Sequence, residues 1–160
     1  ICEELIPLIL GFYQKLAGKS EAISCRYESN LHFNTMEDLL TTMRSRDRLL
    51  QRSSAGIHKD DLGFALNNHN FKNTASQGQR KTLLFALKLA EYELLKKNKG
   101  FAPLLLLDDV FEKLDHNRMH NLLQWVCNEN TGNVFITDTQ HERLTKAFNE
   151  LNIHAQLTAL

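Results

Sequence analysis

Apolar residues recur at helical spacing through much of the chain, and the breaks in that rhythm divide it. In CEELIPLILGFYQKLAG, Leu5, Ile9, Phe12 and Leu16 follow one another by four, three and four positions, which predicts an amphipathic helix. AISCRYES has strand character. TMEDLLTTMRSRDRLLQR is helical again, behind the N-cap candidate Thr35. SSAGIHKDDLGF makes a polar, glycine-containing break near residues 53–63, and LGFALNN predicts a strand. From Ser76 onward SQGQRKTLLFALKLAEYELLKKN predicts a long helix, with Ser76 as N-cap and Leu83, Leu87, Ala90 and Leu94 on one face.

The last third alternates between the two periods. PLLLLDD is a short apolar run after Pro103 and is expected to be a buried parallel strand. DHNRMHNLLQWVCNE predicts a helix with Met119, Leu122, Leu123 and Val126 inward. NVFIT predicts another buried strand. TQHERLTKAFNEL follows as a helix with Thr139 and Glu142 spaced as a capping box, and HAQLTAL is a candidate last strand. Helix, strand, helix, strand, helix is the order of an α/β fold with a parallel sheet flanked by helices.

Composition narrows the function classes. The 160 residues are 42% hydrophobic and carry 19 basic and 19 acidic side chains, so net charge is zero and any attraction to nucleic acid must come from a local patch. Cys2, Cys25 and Cys127 lie far apart with no metal-ligand spacing, as expected of reduced thiols in a cytoplasmic protein. No apolar run approaches the roughly 20 residues of a membrane span, so no membrane association is expected. The chain opens ICEELIPLIL, with no basic leader and no initiator Met, and is expected to be a fragment of a longer protein.

Two stretches carry candidate chemistry. Ligands of open parallel sheets sit outside the carboxyl ends of the strands, and Asp108 and Asp109 stand at such an end. Mg²⁺ needs only one or two protein carboxylates beside a substrate phosphate, and a second carboxylate can orient an attacking water. The alternative is an acidic turn in solvent. In SQGQRK, residues 76–81, a Ser cap and a Gly at a helix start leave backbone N–H groups pointing outward, where the helix dipole also favours phosphate. The alternative there is an ordinary capped helix.

In order, GIHKDDLGF, ASQGQRKTLLFALKLAE, PLLLLDDVFEKLD and NVFITDT resemble the second half of an ABC-type ATPase head, and most closely the RecF-like family of bacterial DNA replication and repair proteins. ASQGQ stands where the superfamily carries its Leu-Ser-Gly-Gly-Gln signature, LLLLDD resembles the Walker B strand and EKLD the D-loop. The likeness is strong over about residues 54–145 and weaker over 1–53, which resemble part of the family's helical lid. It implies a partial P-loop NTPase: lid residues 1–53, then the C-terminal lobe of the ATPase head in 54–160.

The resemblance also implies roles. Asp108 would position Mg²⁺, and Asp109 would stand where many relatives carry a catalytic Glu, one methylene shorter, so hydrolysis is expected to be slow. Ser76, Gln77, Gly78 and Gln79 would meet the γ-phosphate of ATP bound to a partner protomer, Asp115 would be the D-loop residue at the dimer seam, and Thr137 would sense the γ-phosphate. Gln77 replaces the first Gly of the superfamily signature. The implied protein dimerises with itself on ATP, binds DNA at single-strand gaps or single-strand/double-strand junctions, and works with recombination mediators of the RecR and RecO kind.

A phosphate loop needs Gly-x₄-Gly-Lys-Ser/Thr. YQKLAGKS, residues 13–20, misses it: Tyr13 replaces the first Gly, and Gly18 is expected to be a helix C′ residue. The fragment is therefore expected to be inactive alone, its Walker A lying elsewhere. HKDDL, residues 58–62, is expected to be a turn held by Asp side chains rather than a metal cluster. Arg44, Arg48 and Arg52 follow one another by four on a predicted helix and form a candidate DNA-phosphate stripe, or else a solvated face. Trp125 and the nine Phe are expected in the core. The rival assignments are an SMC-like or RecN-like ATPase head, against which the lack of long heptad runs counts, and a non-enzymatic interaction domain, against which the Asp pair and the Ser-x-Gly-Gln stretch count.

Overall fold

In the computed structural model, which describes residues 1–108, 110, 112, 114–139 and 141–158, three helices converge on one apolar core. Helix α1 (Cys2–Ala17) buries Ile9, Phe12 and Leu16, three of the four residues its spacing singles out. It ends at Gly18, whose φ of 66° is the left-handed conformation that glycine adopts without strain. YQKLAGKS is thus a helix C-terminus.

Strand β1 (Ile23–Glu28) leads to α2 (Met36–Leu50), capped by the Thr35 side chain. After a polar loop come β2 (Asp61–Leu66) and β3 (His69–Asn70). The three strands form an antiparallel sheet in the order β1-β2-β3, with Ile23 opposite Leu66 and Glu28 opposite Asp61. LGFALNN is therefore a strand, as its composition predicts, but of a meander separate from the parallel sheet. Helix α2 is inserted between β1 and β2 and buries only Leu39. A one-turn helix α3 (Phe71–Thr74) precedes α4 (Gln77–Lys99).

Helix α4 is the centre of the molecule. Leu83, Ala90 and Leu94 are buried on the expected face, and Phe85, Ala86, Leu89 and Tyr92 are buried as well. The second stripe exists because α1 packs along α4 and α5 (His116–Gln124) packs against α1. Trp125 closes this core with edge-on contacts to Phe12 at 4.9 Å and Tyr92 at 6.3 Å between ring centres. Beyond α5 the chain continues as a π-helical turn over Trp125–Glu129, so the expected 15-residue helix is shorter and ends wider.

Strands β4 (Leu105–Asp108) and β5 (Val134–Thr137) pair in parallel, with Leu105 opposite Val134 and Asp108 opposite Thr137. The α/β class and the parallel pairing follow the sequence. The expected complete burial of PLLLLDD does not hold. Leu105 and Leu107 are buried, whereas Leu104 and Leu106 are 64% and 72% exposed, and Phe135 on β5 is 58% exposed. Within the described residues, helices cover one face of this two-stranded sheet. HAQLTAL forms no strand among its described residues, 154–158. Helix α6 (His141–Glu150) follows β5 and buries Leu144, Ala147 and Phe148. None of the described helices is long and apolar enough to cross a membrane.

The one-sided burial has a measurable consequence. Leu89 is fully buried and Leu106 is not. In this 160-residue chain Leu89→Ala should cost about 2–5 kcal/mol, and Leu106→Ala about 0.5 kcal/mol or less, in urea unfolding followed by circular dichroism. Comparable losses at both positions would contradict a sheet open on one face.

Candidate functional site

The start of α4 is a complete capping box. The backbone N–H of Gln79 donates to Ser76 Oγ at 3.2 Å, and the N–H of Ser76 donates to Gln79 Oε1 at 2.9 Å. Ser76 Oγ is used as an acceptor there, so its own proton is still available to a ligand. The N–H groups of Gln77 and Gly78, in the first helical turn, have no intrahelical acceptor. A hydroxyl and two amide donors thus converge at the positive end of a 23-residue helix, which suits a phosphate group.

The other half of the Gln79 side chain points inward. Its Nε2 donates to Glu21 Oε2 at 2.9 Å. Glu21 lies between α1 and β1 and is only 9% exposed, which burial alone would make costly. It is paired on every side. Tyr13 donates its hydroxyl at 2.6 Å, Lys19 Nζ lies 3.6 Å away, and Arg118 forms a short ion pair with Oε1. Burial pushes the Glu21 carboxyl up, but the bonds from Tyr13 and Gln79 and the Arg118 charge outweigh it, and its pKa falls below the ordinary value of 4.5. Burial first, then the hydrogen bond to Glu21 and after it the Glu21 charge, push the Tyr13 hydroxyl far up.

Arg118 is the second node. It is 5% exposed and uses three faces of its guanidinium. One amino group meets Glu21, the other donates to Thr82 Oγ1 at 2.8 Å, and Nε donates to Asp115 Oδ2 at 3.1 Å. Thr82 in turn donates to the carbonyl of Gly78 at 2.8 Å. Asp115 is the N-cap of α5, its Oδ1 accepting the Arg118 backbone N–H at 2.9 Å. One polar chain therefore joins Ser76, Gly78, Gln79 and Asp115, all singled out from the sequence, through Glu21, Thr82 and Arg118, which were not.

Arg118 and Thr82 left a periodic signal. Arg118 precedes Leu122 by four and shares the inward face of α5, and Thr82 precedes Ala86 by four on α4. Polar residues on an apolar stripe are buried with partners. Glu21 sits outside any periodic element and left no such mark.

Asp108 and Thr137 form a second group. They face each other across the β4–β5 pair, and the Thr137 hydroxyl makes a short hydrogen bond to Asp108 Oδ1. Both are exposed at the carboxyl ends of their strands. A carboxylate with one oxygen open, beside a hydroxyl, is a hard-oxygen donor set that fits a hydrated Mg²⁺. Asp109, the expected catalytic residue, lies outside the described residues. Among the described residues no hydrogen bond joins this group to the capping-box network, and no cluster of three or more His, Cys, Asp or Glu side chains is placed to hold a metal.

The basic stripe on α2 is shorter than its spacing predicts. Arg44 and Arg48 are exposed on that helix, but it ends at Leu50 and Gln51 turns into the left-handed region at φ 52°, so Arg52 does not extend their face. In HKDDL, Asp60 accepts a short bond from the Tyr27 hydroxyl, and Asp61 Oδ1 accepts the N–H of Leu62 at 2.8 Å. The first ties the segment to β1 and the second lies at the start of β2, so neither is the contact within a turn that the sequence leads one to expect. Cys2, Cys25 and Cys127 are free thiols.

No protein-family model matches the chain. The DNA replication and repair protein RecF of Flavobacterium johnsoniae is 44% identical over 141 residues, covering 88% of this chain and 39% of that protein. The same-named protein of Cytophaga hutchinsonii is 42% identical over 141 residues, covering 88% of this chain and 37% of its own length. A solved structure of the recombination mediator protein RecF with ATP in the RecFOR pathway superposes with a TM-score of 0.62 at 26% identity, over 88% of this chain and 39% of that one. The chain thus spans about two-fifths of the length of the relatives it matches.

The buried carboxylate makes the network sensitive to acid. Glu21 has a lowered pKa in the folded state, so its contribution is complete above its unfolded value near 4.5 and is lost as pH falls through the folded value. Glu21→Gln should lower stability at pH 7 by about 3–5 kcal/mol, because Arg118 loses its buried partner. The gap to wild type should narrow below pH 4.5. Urea titrations at pH 7, 5 and 3.5 check this, and a gap that stays constant across them would remove Glu21 as the titrating partner.

Proposed function

The chain belongs to the RecF family, and from that premise we propose that it forms the signature-bearing part of an ATP-dependent DNA-binding protein of recombinational repair and replication-fork maintenance. The observation that carries the proposal is the start of α4: a Ser hydroxyl and two free amides at a helix N-terminus, aimed away from the core. In this reading the surface meets the γ-phosphate of ATP held by a second copy of the full-length protein. Two copies then close over two nucleotides, and hydrolysis lets them part.

Each residue has a defined task. Ser76 donates its hydroxyl proton, and Gln77 and Gly78 donate their amides, to phosphate oxygens. Gln79 keeps the box closed and ties it to Glu21. Asp115 lines the seam between copies. Asp108 holds Mg²⁺, which offsets charge on the phosphates, with Thr137 fixing one carboxylate oxygen. Asp109 orients the attacking water. The phosphate loop comes from elsewhere in the full-length protein, so the 160-residue chain has no turnover of its own.

Helix α2 stands clear of the common core and takes the lid role within residues 1–53, while α1 packs with the ATPase lobe. Its exposed Arg44 and Arg48, with Arg52 beyond the helix end, contact DNA phosphates at single-strand gaps or junctions. Recombination mediators of the RecR and RecO kind are the expected protein partners, in the cytoplasm. An SMC-like or RecN-like head would use the same surfaces, but the RecF relatives match over nearly nine-tenths of the chain.

ATP turnover by the full-length protein, measured against protein concentration, tests the reading. Turnover per chain should rise with concentration, and Ser76→Arg should abolish it while leaving ATP binding intact. If Ser76→Arg turns over ATP like wild type, Ser76 is only a helix cap.

A further inference from the structure

The proposed site has two parts on different helices, and one ion pair holds both. Gln79 of the capping box is tied to Glu21, and Asp115 at the α5 cap is tied to Arg118. Glu21 and Arg118 are bonded to each other, and Thr82 closes the loop between Arg118 and the Gly78 carbonyl. We infer that Glu21 and Arg118 are positioning residues that fix the Ser76–Gln79 phosphate surface and the Asp115 cap in one rigid relation. This rests on the trans-acting reading above and deepens it.

The chemistry favours the assignment over simple core support. A buried ion pair is a poor source of stability compared with apolar packing, and it retains value where it imposes one arrangement. Arg118 and Glu21 do not touch the solvent-facing donors of the site. They reach them through Gln79, Thr82 and Asp115, which turn polar groups inward to the network at the edge of the ligand-facing surface. Thr82 and Arg118 are within the first turns of α4 and α5, so a small rotation of either helix breaks several bonds together. A phosphate surface and a seam residue that must meet a second copy across one interface arrive together only if their relation is preset, and a misplacement of about 1 Å costs on the order of 100-fold in rate.

The experiment uses full-length protein and four variants: Glu21→Gln, Thr82→Val, Leu89→Ala and Ser76→Arg. Leu89 is a buried core residue outside the network and controls for lost stability. At saturating ATP, and per folded molecule, Glu21→Gln should lower turnover about 10- to 100-fold. Its affinity for ATP, measured by equilibrium titration with a non-hydrolysed analogue, should match wild type. Thr82→Val, which removes one hydroxyl at nearly constant volume, should lower turnover by a smaller factor in the same direction, and it carries the test if Glu21→Gln does not fold. Leu89→Ala should keep wild-type turnover per folded molecule. The inference is overturned if Thr82→Val and any folded Glu21→Gln lose no more turnover than Leu89→Ala, or if their loss lies in ATP affinity. If Ser76→Arg is fully active, the trans reading itself fails and takes the inference with it. If Ser76→Arg is dead while the network variants are active, only the inference falls.

Discussion

Two ionised side chains, Glu21 and Arg118, sit in contact inside the molecule, and the ends of three helices are arranged around them. Such a pair is tolerable only when nearly all of its donors and acceptors are used. Here Tyr13 comes from the last turns of α1, Gln79 and Thr82 from the first turns of α4, and Asp115 from the cap of α5. Among the described residues no buried side-chain polar atom lacks a partner. The core packing of α1 on α4 fixes where the helices run. The polar network fixes where they begin and end, and those ends are where the proposed chemistry lies.

The division of labour between the two sheets follows. The antiparallel β1-β2-β3 meander carries α2 outward and packs Leu66, with Ile23, Leu62 and Phe64, against the common core. The β4–β5 pair delivers Asp108 and Thr137 to one edge, and its other side exposes Leu104, Leu106 and Phe135. In the proposed full-length protein the phosphate loop meets that edge, while the capping box of α4 faces a second copy. In that proposal metal-side and signature-side residues serve different nucleotides.

Much of this was legible in the residues. Leu5, Ile9, Phe12 and Leu16 marked α1, and Ser76 marked both a cap and the start of the long helix, because local spacing and capping chemistry are read from neighbours in sequence. Gly18 was correctly a helix end, since a glycine with φ of 66° needs no long-range partner. PLLLLDD misled in one respect. Four leucines define a parallel strand, but what covers each face depends on layers that local composition does not describe. Arg52 misled because a helix ending at Leu50 is set by the Gln51 turn and not by the basic spacing. Glu21 was invisible because its burial is decided by Arg118, 97 residues away.

The central claim is that the α4 surface acts on a nucleotide bound by another copy, and mixing two inactive full-length variants tests it most directly. Ser76→Arg damages the signature surface and leaves the metal side intact, and Asp108→Asn does the reverse. In a mixed dimer one composite site is whole, so ATP turnover of an equimolar mixture should rise well above the sum of the two variants alone. A mixture no more active than that sum would mean that Ser76 and Asp108 serve a nucleotide within one chain, and the action of α4 across a dimer would be refuted.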